Sequence, residues 1–188
     1  MSFTPEHPRL ASPDALRALG HPTRLRILGH LQLRGHATAT ECAEEVGESP
    51  SSCSYHLRTL ARHGFVTETP SEDGRERRWR AQVSGYEFPS GAEESEDLQA
   101  AAALARAALL EVEDDAVREY LRSERLFAPD WRDAATFTLT TIMATPSELV
   151  EIDRAIRELL TPFAPGARTR SPRGARLVSV GVRAVPQV

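Results

Sequence analysis

The feature that most constrains the fold is a series of four short helices, each with its own start and stop signal, in the first 64 residues. A start is a capping position followed by proline or an acidic residue in the first turn, and each stop is a glycine. The starts are Ser12-Pro13-Asp14, His21-Pro22, Thr38-Ala39-Thr40-Glu41 and Ser49-Pro50, and the stops are Gly20, Gly35, Gly47 and Gly64. The third and fourth helices follow each other across a tight turn at Gly47, which predicts a helix-turn-helix unit.

The fourth helix has two faces of different chemistry. Leu57, Leu60 and Cys53 lie at spacings that turn them toward a core. The other face carries short hydroxyls, one tyrosine and two arginines, namely Ser51, Ser52, Ser54, Tyr55, Arg58, Thr59 and Arg62. Short hydroxyls allow close approach to base edges, and arginine pairs with phosphate or guanine, so this face is a candidate reader of the DNA major groove. A solvated helix surface accounts equally well for the composition of this helix alone.

A basic β-hairpin is expected directly after the fourth helix. Residues 65–69 alternate as a strand, residues 71–74 form a turn, and residues 75–80 return as a strand rich in arginine. Arg75, Arg77 and Arg78 are placed to reach the phosphate backbone or the minor groove, where arginine is favoured by the negative potential. The alternative is an edge strand that charge protects from aggregation. Because the hairpin follows a helix pair, DNA contact is the favoured interpretation.

The charge is distributed unevenly along the chain. The net charge of −4 argues against nucleic acid if taken as an average. Residues 1–85 hold 11 arginines against 10 acidic residues, whereas residues 86–188 hold 12 against 17, so the acidity is mostly C-terminal. No apolar run approaches the length of a membrane span and no signal-peptide pattern is found. A cytoplasmic protein without membrane contact is therefore expected.

Two stretches of the N-terminal half resemble the ArsR-type winged helix-turn-helix regulators. They are residues 18–28, ALGHPTRLRIL, and residues 54–66, SYHLRTLARHGFV, and the Asp73-Gly74-Arg75 turn with Trp79 also fits the family's wing. The similarity covers roughly residues 11–83. It implies a homodimer on a pseudo-palindromic operator of double-stranded DNA, usually acting as a repressor that an effector releases.

The resemblance also implies roles for individual residues. The side chains expected to read or approach bases are Ser52, Ser54, Tyr55 and Arg58. Thr23 and Arg24 are expected near a phosphate at a helix start. His56 is expected to pack within the domain and to form a hydrogen bond there.

Cys42 and Cys53 are the two cysteines of the chain. Many proteins of the resembling family sense metals through two cysteines of the third helix separated by one residue, but here the second position is Glu44. One thiol is a poor site for a soft metal, which takes three or four ligands, and all six histidines lie at or before His63. Both cysteines are therefore expected in the core, with no metal and no cofactor. A metal-sensing or redox-sensing repressor that uses Cys42 is the alternative.

A long helix is predicted after an acidic linker at residues 84–95, and it runs to about Arg125. Its apolar positions alternate at spacings of four and three, and small alanines let a partner helix approach closely. This seam consists of Leu98, Ala102, Ala105, Leu109, Val112 and Ala116. Since a DNA reader of this type contacts two half-sites, the seam is expected to pair two copies of the chain. Packing on its own chain is the alternative.

A strand, a helix and a strand are predicted after the long helix. Residues 136–142 are rich in β-branched side chains, residues 145–148 form a capping box that opens a helix, and residues 177–185 have the composition of a last strand. This part is the expected place for a small-molecule effector or an extra dimer contact. Trp131 and Phe137 are candidate pocket residues, with a core role as the alternative. No catalytic constellation is found, so no enzyme is expected.

The expected fold is mainly α with a β-hairpin wing, the winged helix-turn-helix, followed by a long dimerisation helix and a small α+β appendage. The expected domains are residues 1–85 for DNA binding, 86–128 for the linker and dimerisation helix, and 129–188 for the C-terminal unit. The expected function is sequence-specific DNA binding by a homodimeric transcriptional repressor that a small molecule releases. A protein-interaction module on a winged-helix scaffold is the alternative from another class.

Overall fold

The computed structural model describes residues 10–70, 77–83, 85, 87–89, 94–164, 172–176 and 178–187. The elements in these ranges are α1 Pro13–Leu19, α2 Pro22–Arg34, β1 Ala37–Thr38, α3 Ala39–Val46, α4 Pro50–Arg62, β2 Val66–Thr69, β3 Arg78–Ala81, α5 Glu96–Ser123, α6 Pro129–Ala134 and α7 Pro146–Leu160. Single turns of 3-10 helix follow α5 at Glu124–Leu126 and α7 at Thr161–Phe163.

The four predicted N-terminal helices are confirmed, and their ends follow from local hydrogen bonds. At α3 the Thr38 hydroxyl accepts from the Glu41 N–H at 3.2 Å, and the Glu41 carboxylate accepts from the Thr38 N–H at 2.7 Å. The bond from the Thr38 N–H lowers the pKa of the Glu41 carboxyl, because it stabilises the charged form. Gly47 ends α3 with φ +71°, in the left-handed region that glycine enters without steric cost. Groups within a few residues of each other therefore set the limits of this short helix.

A three-stranded antiparallel sheet with the order β1-β3-β2 forms the wing. β2 and β3 pair from Val66↔Ala81 to Thr69↔Arg78, as the predicted hairpin requires, and the turn at residues 71–76 lies outside the described residues. β1 is only two residues long and pairs with the first two residues of β3. Because a segment this short has no periodicity to detect, the sequence alone does not predict the third strand.

One hydrophobic core joins α1, α2, α3, α4, the sheet and the first half of α5. The largest fully buried side chains are Leu16, Leu19, Ile27, Leu28, Leu31, Leu57, Leu60, Cys42 and Cys53. Trp79 of β3 is 6% exposed and covers the core from the side of the sheet. The arrangement confirms the predicted fold class, a mainly helical domain with a small antiparallel wing.

The long helix α5 is confirmed, and its predicted seam packs on the same chain except at Ala116, which is exposed. Leu98 is 6% exposed, and Ala102 and Ala105 are fully buried, because α1 of the same chain lies along the first half of α5. Leu109 and Val112 are partly buried against the same core. Small side chains let two helices approach each other, and here the approaching helix belongs to the same chain. The alternative of packing within the chain is observed for the part of the seam from Leu98 to Val112.

Close approach and ion pairs hold α5 against the N-terminal domain. A Cβ atom at Gly20, between α1 and α2, would lie 2.6 Å from Cγ of Leu104, so only glycine leaves room for that leucine. Arg17 of α1 pairs with Asp97 at the start of α5, and Arg26 of α2 pairs with Asp115 further along it. α5 is therefore part of the N-terminal domain for its first half.

The C-terminal segment contains the predicted helix but not the two predicted strands. α7 begins at the predicted capping box, in which the Thr145 N–H donates to the Glu148 carboxylate at 2.7 Å. Residues 136–142 and 178–185 belong to no strand, and residue 177 lies outside the described part. β-branched residues favour a strand when they can pack in a sheet, and in the described part of the chain no strand lies beside either segment. The α6 helix was not predicted.

Apolar side chains remain exposed in the second half of the chain. Phe137 is 64% exposed, Leu139 is 98% exposed, and Val178, Val180 and Val182 are between 51% and 63% exposed. Across the described ranges, no helix combines the length and the apolar character needed to cross a membrane.

Candidate nucleic-acid interface

The helix α4 separates its buried and exposed faces as the sequence predicted. Ser49 caps it, with the hydroxyl accepting from the Ser52 N–H at 3.1 Å, and Pro50 occupies the first helical position. The buried face consists of Cys53, His56, Leu57 and Leu60. These contacts fix the rotation of α4 about its axis, so the opposite face is held toward solvent.

The predicted reading residues of α4 divide into two groups by exposure. Ser51, Tyr55, Arg58 and Arg62 are exposed, and Tyr55 leaves 60% of its surface free. Ser52, Ser54 and Thr59 are half-buried. The Thr59 hydroxyl donates to the Tyr55 carbonyl at 3.0 Å, which turns it back onto its own helix. The four exposed side chains, Ser51, Tyr55, Arg58 and Arg62, are called the outer face of α4 below.

The predicted basic residues of the wing differ in their surroundings. Arg77 is exposed and donates to the Glu68 carboxylate across the hairpin at 3.0 Å. Arg78 is half-buried in β3, next to the Thr69 hydroxyl, which donates to the Arg78 carbonyl at 3.4 Å. Arg75 lies outside the described residues. Arg77 is thus the predicted wing contact that the structure leaves most accessible.

Thr23 is buried, and Arg24 is half-buried with its guanidinium bonded within the domain. Thr23 is 8% exposed. Arg24 donates from Nε to the Ala18 carbonyl, and from Nη2 to the Arg17 carbonyl at 2.9 Å. These bonds bring donors to two carbonyl groups at the end of α1, where the regular hydrogen bonds of the helix stop. The Arg24 guanidinium is therefore already engaged at the junction between α1 and α2, and Thr23 exposes little surface to a phosphate.

Two histidines in ring contact, His21 and His56, lie between the start of α2 and the buried face of α4. The rings of His21 and His56 lie 4.8 Å apart, and Nδ1 of His21 accepts from the Thr23 N–H at 3.2 Å. His56 is buried as predicted, but its Nδ1 has no hydrogen-bond partner in the described residues. Burial lowers the pKa of both imidazoles, and the Arg24 guanidinium lowers them further. A proton on His21 Nδ1 would also remove the cap of α2.

Acidification is expected to destabilise the folded domain through this pair. The unfolded chain binds these protons near the ordinary histidine pKa of 6.5, whereas the folded chain binds them only at lower pH. The free energy of unfolding therefore has its full value above pH 6.5 and declines as the pH falls through 6.5. Thermal midpoints measured between about pH 7.5 and about pH 5 give the slope.

The matched variants for this test are His21→Asn and His36→Asn. Asparagine at position 21 keeps a side-chain oxygen that caps α2 but does not titrate, so the acid-induced loss is expected to shrink. His36 is exposed, and its replacement is expected to leave the slope unchanged. Equal slopes in His21→Asn and the wild type would show that His21 has no part in the pH dependence.

The two cysteines lie in the core, as predicted. Cys42 and Cys53 are fully buried and unbridged. Burial raises the pKa of the Cys42 thiol to about 12, and burial also raises that of Cys53. The reactive and metal-binding form of cysteine is the thiolate, which these surroundings disfavour.

A cleft of about 270 Å³, named here the wing cleft, lies between the start of α3, the side of α4 and β3. Its lining residues are Thr38, Ala39, Thr40, Ser54, Arg58, Arg77 and Trp79. Ser54, Arg58 and Arg77 are predicted DNA contacts, whereas Thr38, Ala39 and Thr40 were not predicted from the sequence. The capping box at Thr38 is the signal that places them at the start of α3.

A match to one known family falls on the N-terminal domain seen in the structure. A family described as "Helix-turn-helix domain" matches residues 19–69. No curated protein sequence matches the chain significantly. Similar solved structures include ZitR of Lactococcus lactis, a C30AH42A mutant in apo form, with 16% identity, 75% of this chain and 81% of that chain covered, and a TM-score of 0.32. YusO from Bacillus subtilis has 14% identity, 78% and 82% coverage, and a TM-score of 0.33.

The family match extends from the end of α1 to β2, and it includes the helix pair α3–α4 and the first long strand of the wing. The observed sheet adds β3 to that region. The N-terminal part of this chain is therefore a winged helix-turn-helix domain.

Proposed function

We propose that the chain is a sequence-specific DNA-binding transcriptional regulator that acts as a homodimer. The observation that carries the proposal is the outer face of α4, which stands free of the core beside the wing cleft. A helix held in this way is suited to the major groove, with Ser51 and Tyr55 near the bases. Arg77 of the wing lies on the same side of the domain and borders the same cleft as Arg58.

The pairing of the arginines supports this choice of surface. Arg118, Arg122, Arg154 and Arg157 on α5 and α7 each form ion pairs with carboxylates. Neither Arg58 nor Arg62 of α4 pairs with a carboxylate among the described residues, and Arg34 at the end of α2 and Arg132 of α6 are likewise unpaired there. Unpaired guanidinium groups on an exposed helix are available to phosphate or guanine. The charge balance of the whole chain hides this local difference.

A mobility-shift assay with the promoter of the chain's own gene tests DNA binding. Retardation that falls steeply with salt is expected, because contacts between arginine and phosphate release counterions. Absence of retardation there and at neighbouring promoters would contradict the proposal. A reporter under the same promoter then tests repression, which predicts higher expression when the regulator is deleted.

The dimer is proposed to form through the side of α5 opposite its buried seam. This free face consists of the exposed residues Ala103, Ala107, Leu110, Val117 and Leu121. Their spacings of four, three, seven and four residues place them along one line of the helix. A pair of copies joined there would need its two α4 helices about 34 Å apart to reach successive major grooves.

A charge in the free face of α5 is expected to separate the dimer. Val117→Glu places an acidic group where two apolar surfaces would meet, and association is expected to weaken by about tenfold or more. Ala116→Glu is the matched control, since Ala116 is exposed and belongs to the seam on the other side of the helix. Sedimentation velocity measures both. Dissociation by Ala116→Glu alone would instead favour the originally predicted seam.

The effector is proposed to act on the C-terminal half, near the end of α5. The Tyr120 ring lies 5.4 Å from Phe127 and 6.2 Å from Phe137, and its hydroxyl is buried without a partner in the described residues. The Arg176 guanidinium lies over the rings of Phe127 and Trp131. An aromatic group with one unsatisfied hydroxyl is suited to a small organic molecule. Quenching of Trp131 emission by such a molecule is the readout.

A further inference from the structure

We propose that residues 178–185, named here the tail segment, pair with the same residues of a second copy of the chain as two antiparallel β-strands. The choice of a second copy as the occupant rests on the homodimer of the proposed function. The surface itself follows from three properties of the tail segment, which are its unpaired backbone, its alternating side chains and its position beside α5.

The backbone of the tail segment has no neighbour. Residues 178–185 belong to no strand, and no backbone hydrogen bond to or from them is found in the part of the chain that the structure describes. The segment contains no proline before Pro186, so each of its residues can donate an N–H. A row of unpaired N–H and C=O groups is a template on which another chain can pair.

The side chains of the tail segment alternate between α5 and solvent. A Cβ atom at Gly181 would lie 3.3 Å from Cδ of Glu113 on α5, and Nε of Arg183 donates to the same carboxylate at 3.1 Å. The valines at the alternate positions leave more than half of their surface exposed, and they are Val178, Val180 and Val182. A period of two is that of an extended strand, and here its apolar face is turned away from α5.

The valine face is complementary to itself. Two identical antiparallel strands are related by a twofold axis, so each makes the same contacts with the other. With Gly181 on the axis, Val180 lies opposite Val182 of the second copy, and with Val180 on the axis, Val178 lies opposite Val182. Both registers bring valine against valine, and such cross-strand pairs of β-branched side chains stabilise a sheet.

The other strand-like segment of the chain, residues 136–142, is held at a different level of α5. The ring of Phe137 lies 6.2 Å from that of Tyr120, whereas the tail segment meets α5 at Glu113, seven positions earlier. Seven residues of α-helix span about 10 Å, which is about twice the spacing of neighbouring strands. One chain therefore does not supply the missing strand at this place, and a second copy does.

The tail segment extends the surface already proposed for the dimer. Glu113 lies on α5 between Leu110 and Val117, two residues of the free face. A stable interface takes about 20–30 residues from each partner, far more than the free face contains. The tail segment lies directly beside that face and enlarges it with a second apolar surface.

The helix α7 is suited to cover the paired strands. No residue of α7 is buried in the described chain, and its apolar side consists of the half-buried residues Leu149, Ile152, Ile156 and Leu160. A pair of strands is marginally stable in water unless a helix or further strands pack on its apolar face. Association of two copies would bury the apolar side of α7 against the valines.

The test places proline at two neighbouring positions of the tail segment, in Ser179→Pro and in Val180→Pro. Adjacent N–H groups of a strand point to opposite sides, so one of the two donates to the partner strand and the other does not. One proline is expected to weaken self-association by roughly tenfold or more, and the other is expected to have a much smaller effect. Val180→Ile keeps the N–H and the branched side chain, and is expected to associate like the wild type.

Sedimentation velocity measures association, and thermal unfolding of the dilute protein measures the stability of the single chain. Neither N–H has a partner in the described residues, so both prolines are expected to leave the thermal midpoint unchanged. Equal effects of the two prolines on association, or no effect of either, would overturn the strand pair. A proline that lowers the thermal midpoint and leaves association unchanged would show that the tail segment pairs within its own chain, which also overturns the proposal.

The strand pair and the proposed dimer face fail in different ways. If Val117→Glu separates the dimer and neither proline does, the strand pair is wrong and the free face of α5 stands. If one proline separates the dimer and Val117→Glu does not, the strand pair stands and the free face is wrong. A wild type that stays monomeric at every concentration would overturn the strand pair together with the homodimer, while the mobility-shift assay still tests DNA binding.

Discussion

Replacing Arg58, Arg75 and Arg77 together by alanine is expected to weaken binding to the promoter duplex by roughly a hundredfold or more, since each such arginine is worth about 1–3 kcal/mol. Arg58 is an unpaired guanidinium on the outer face of α4, and Arg77 stands at the rim of the wing cleft. Arg75 belongs to the part of the wing outside the described residues and is included on the strength of the sequence. The slope of log affinity against log salt is expected to fall by about 2 to 3.

The matched control removes three arginines from other surfaces. Arg118, Arg122 and Arg154 lie on α5 and α7 and are paired with acidic residues of their own helices. Their replacement by alanine changes the net charge equally, so a general effect of charge would appear in both proteins. Retained affinity in the first triple variant would contradict a DNA-reading surface at α4 and the wing. If the triple variant also kept its binding to a protein partner, the protein-interaction alternative would be favoured.

Ala102→Leu is expected to destabilise the folded monomer by about 1–3 kcal/mol, since overpacked cores lose stability in this range. Ala102 is fully buried where α1 lies against α5 of the same chain. A leucine there must push the two helices apart or adopt a strained rotamer. Because the contact lies within one chain, the loss is expected to be independent of protein concentration in urea unfolding.

The nearby Ala100→Leu is the matched control. Ala100 is exposed on α5 and lies outside the free face, so the same added volume meets solvent and is expected to change stability by less than about 0.5 kcal/mol. A different result would be informative. If Ala102→Leu left the monomer stable and only weakened association of two chains, the packing of α1 on α5 described above would be wrong.

The helices of the winged domain could be predicted because their signals are local. Ser12, His21, Thr38 and Ser49 each accept a hydrogen bond from an N–H two or three residues further along, so the chain needs no distant partner to begin a helix. The inward face of α4 was equally predictable from the spacing of its apolar residues. The same logic located α7 from its capping box.

Other sites depend on distant residues, and there sequence reasoning was incomplete. The position of Arg24 at a helix start is typical of a phosphate ligand. In the folded chain its guanidinium donates instead to two carbonyl groups at the end of α1. Thr38 and Ala39 carry no obvious chemistry in sequence, yet β3 and α4 meet them to form the wing cleft. Such roles follow from which elements lie side by side, which short-range patterns do not encode.

The order of the helices, their limits and the polar face of α4 were determined by the sequence alone, because capping bonds and helical spacing act within a few residues. The tertiary structure decided which face of α5 is covered, that a third strand joins the wing, and that residues 136–142 and 178–185 have no strand partner. The physical reason is common to all three. The local sequence pattern shows that an apolar seam or a strand edge must be covered. Which element covers it is determined only in the folded chain.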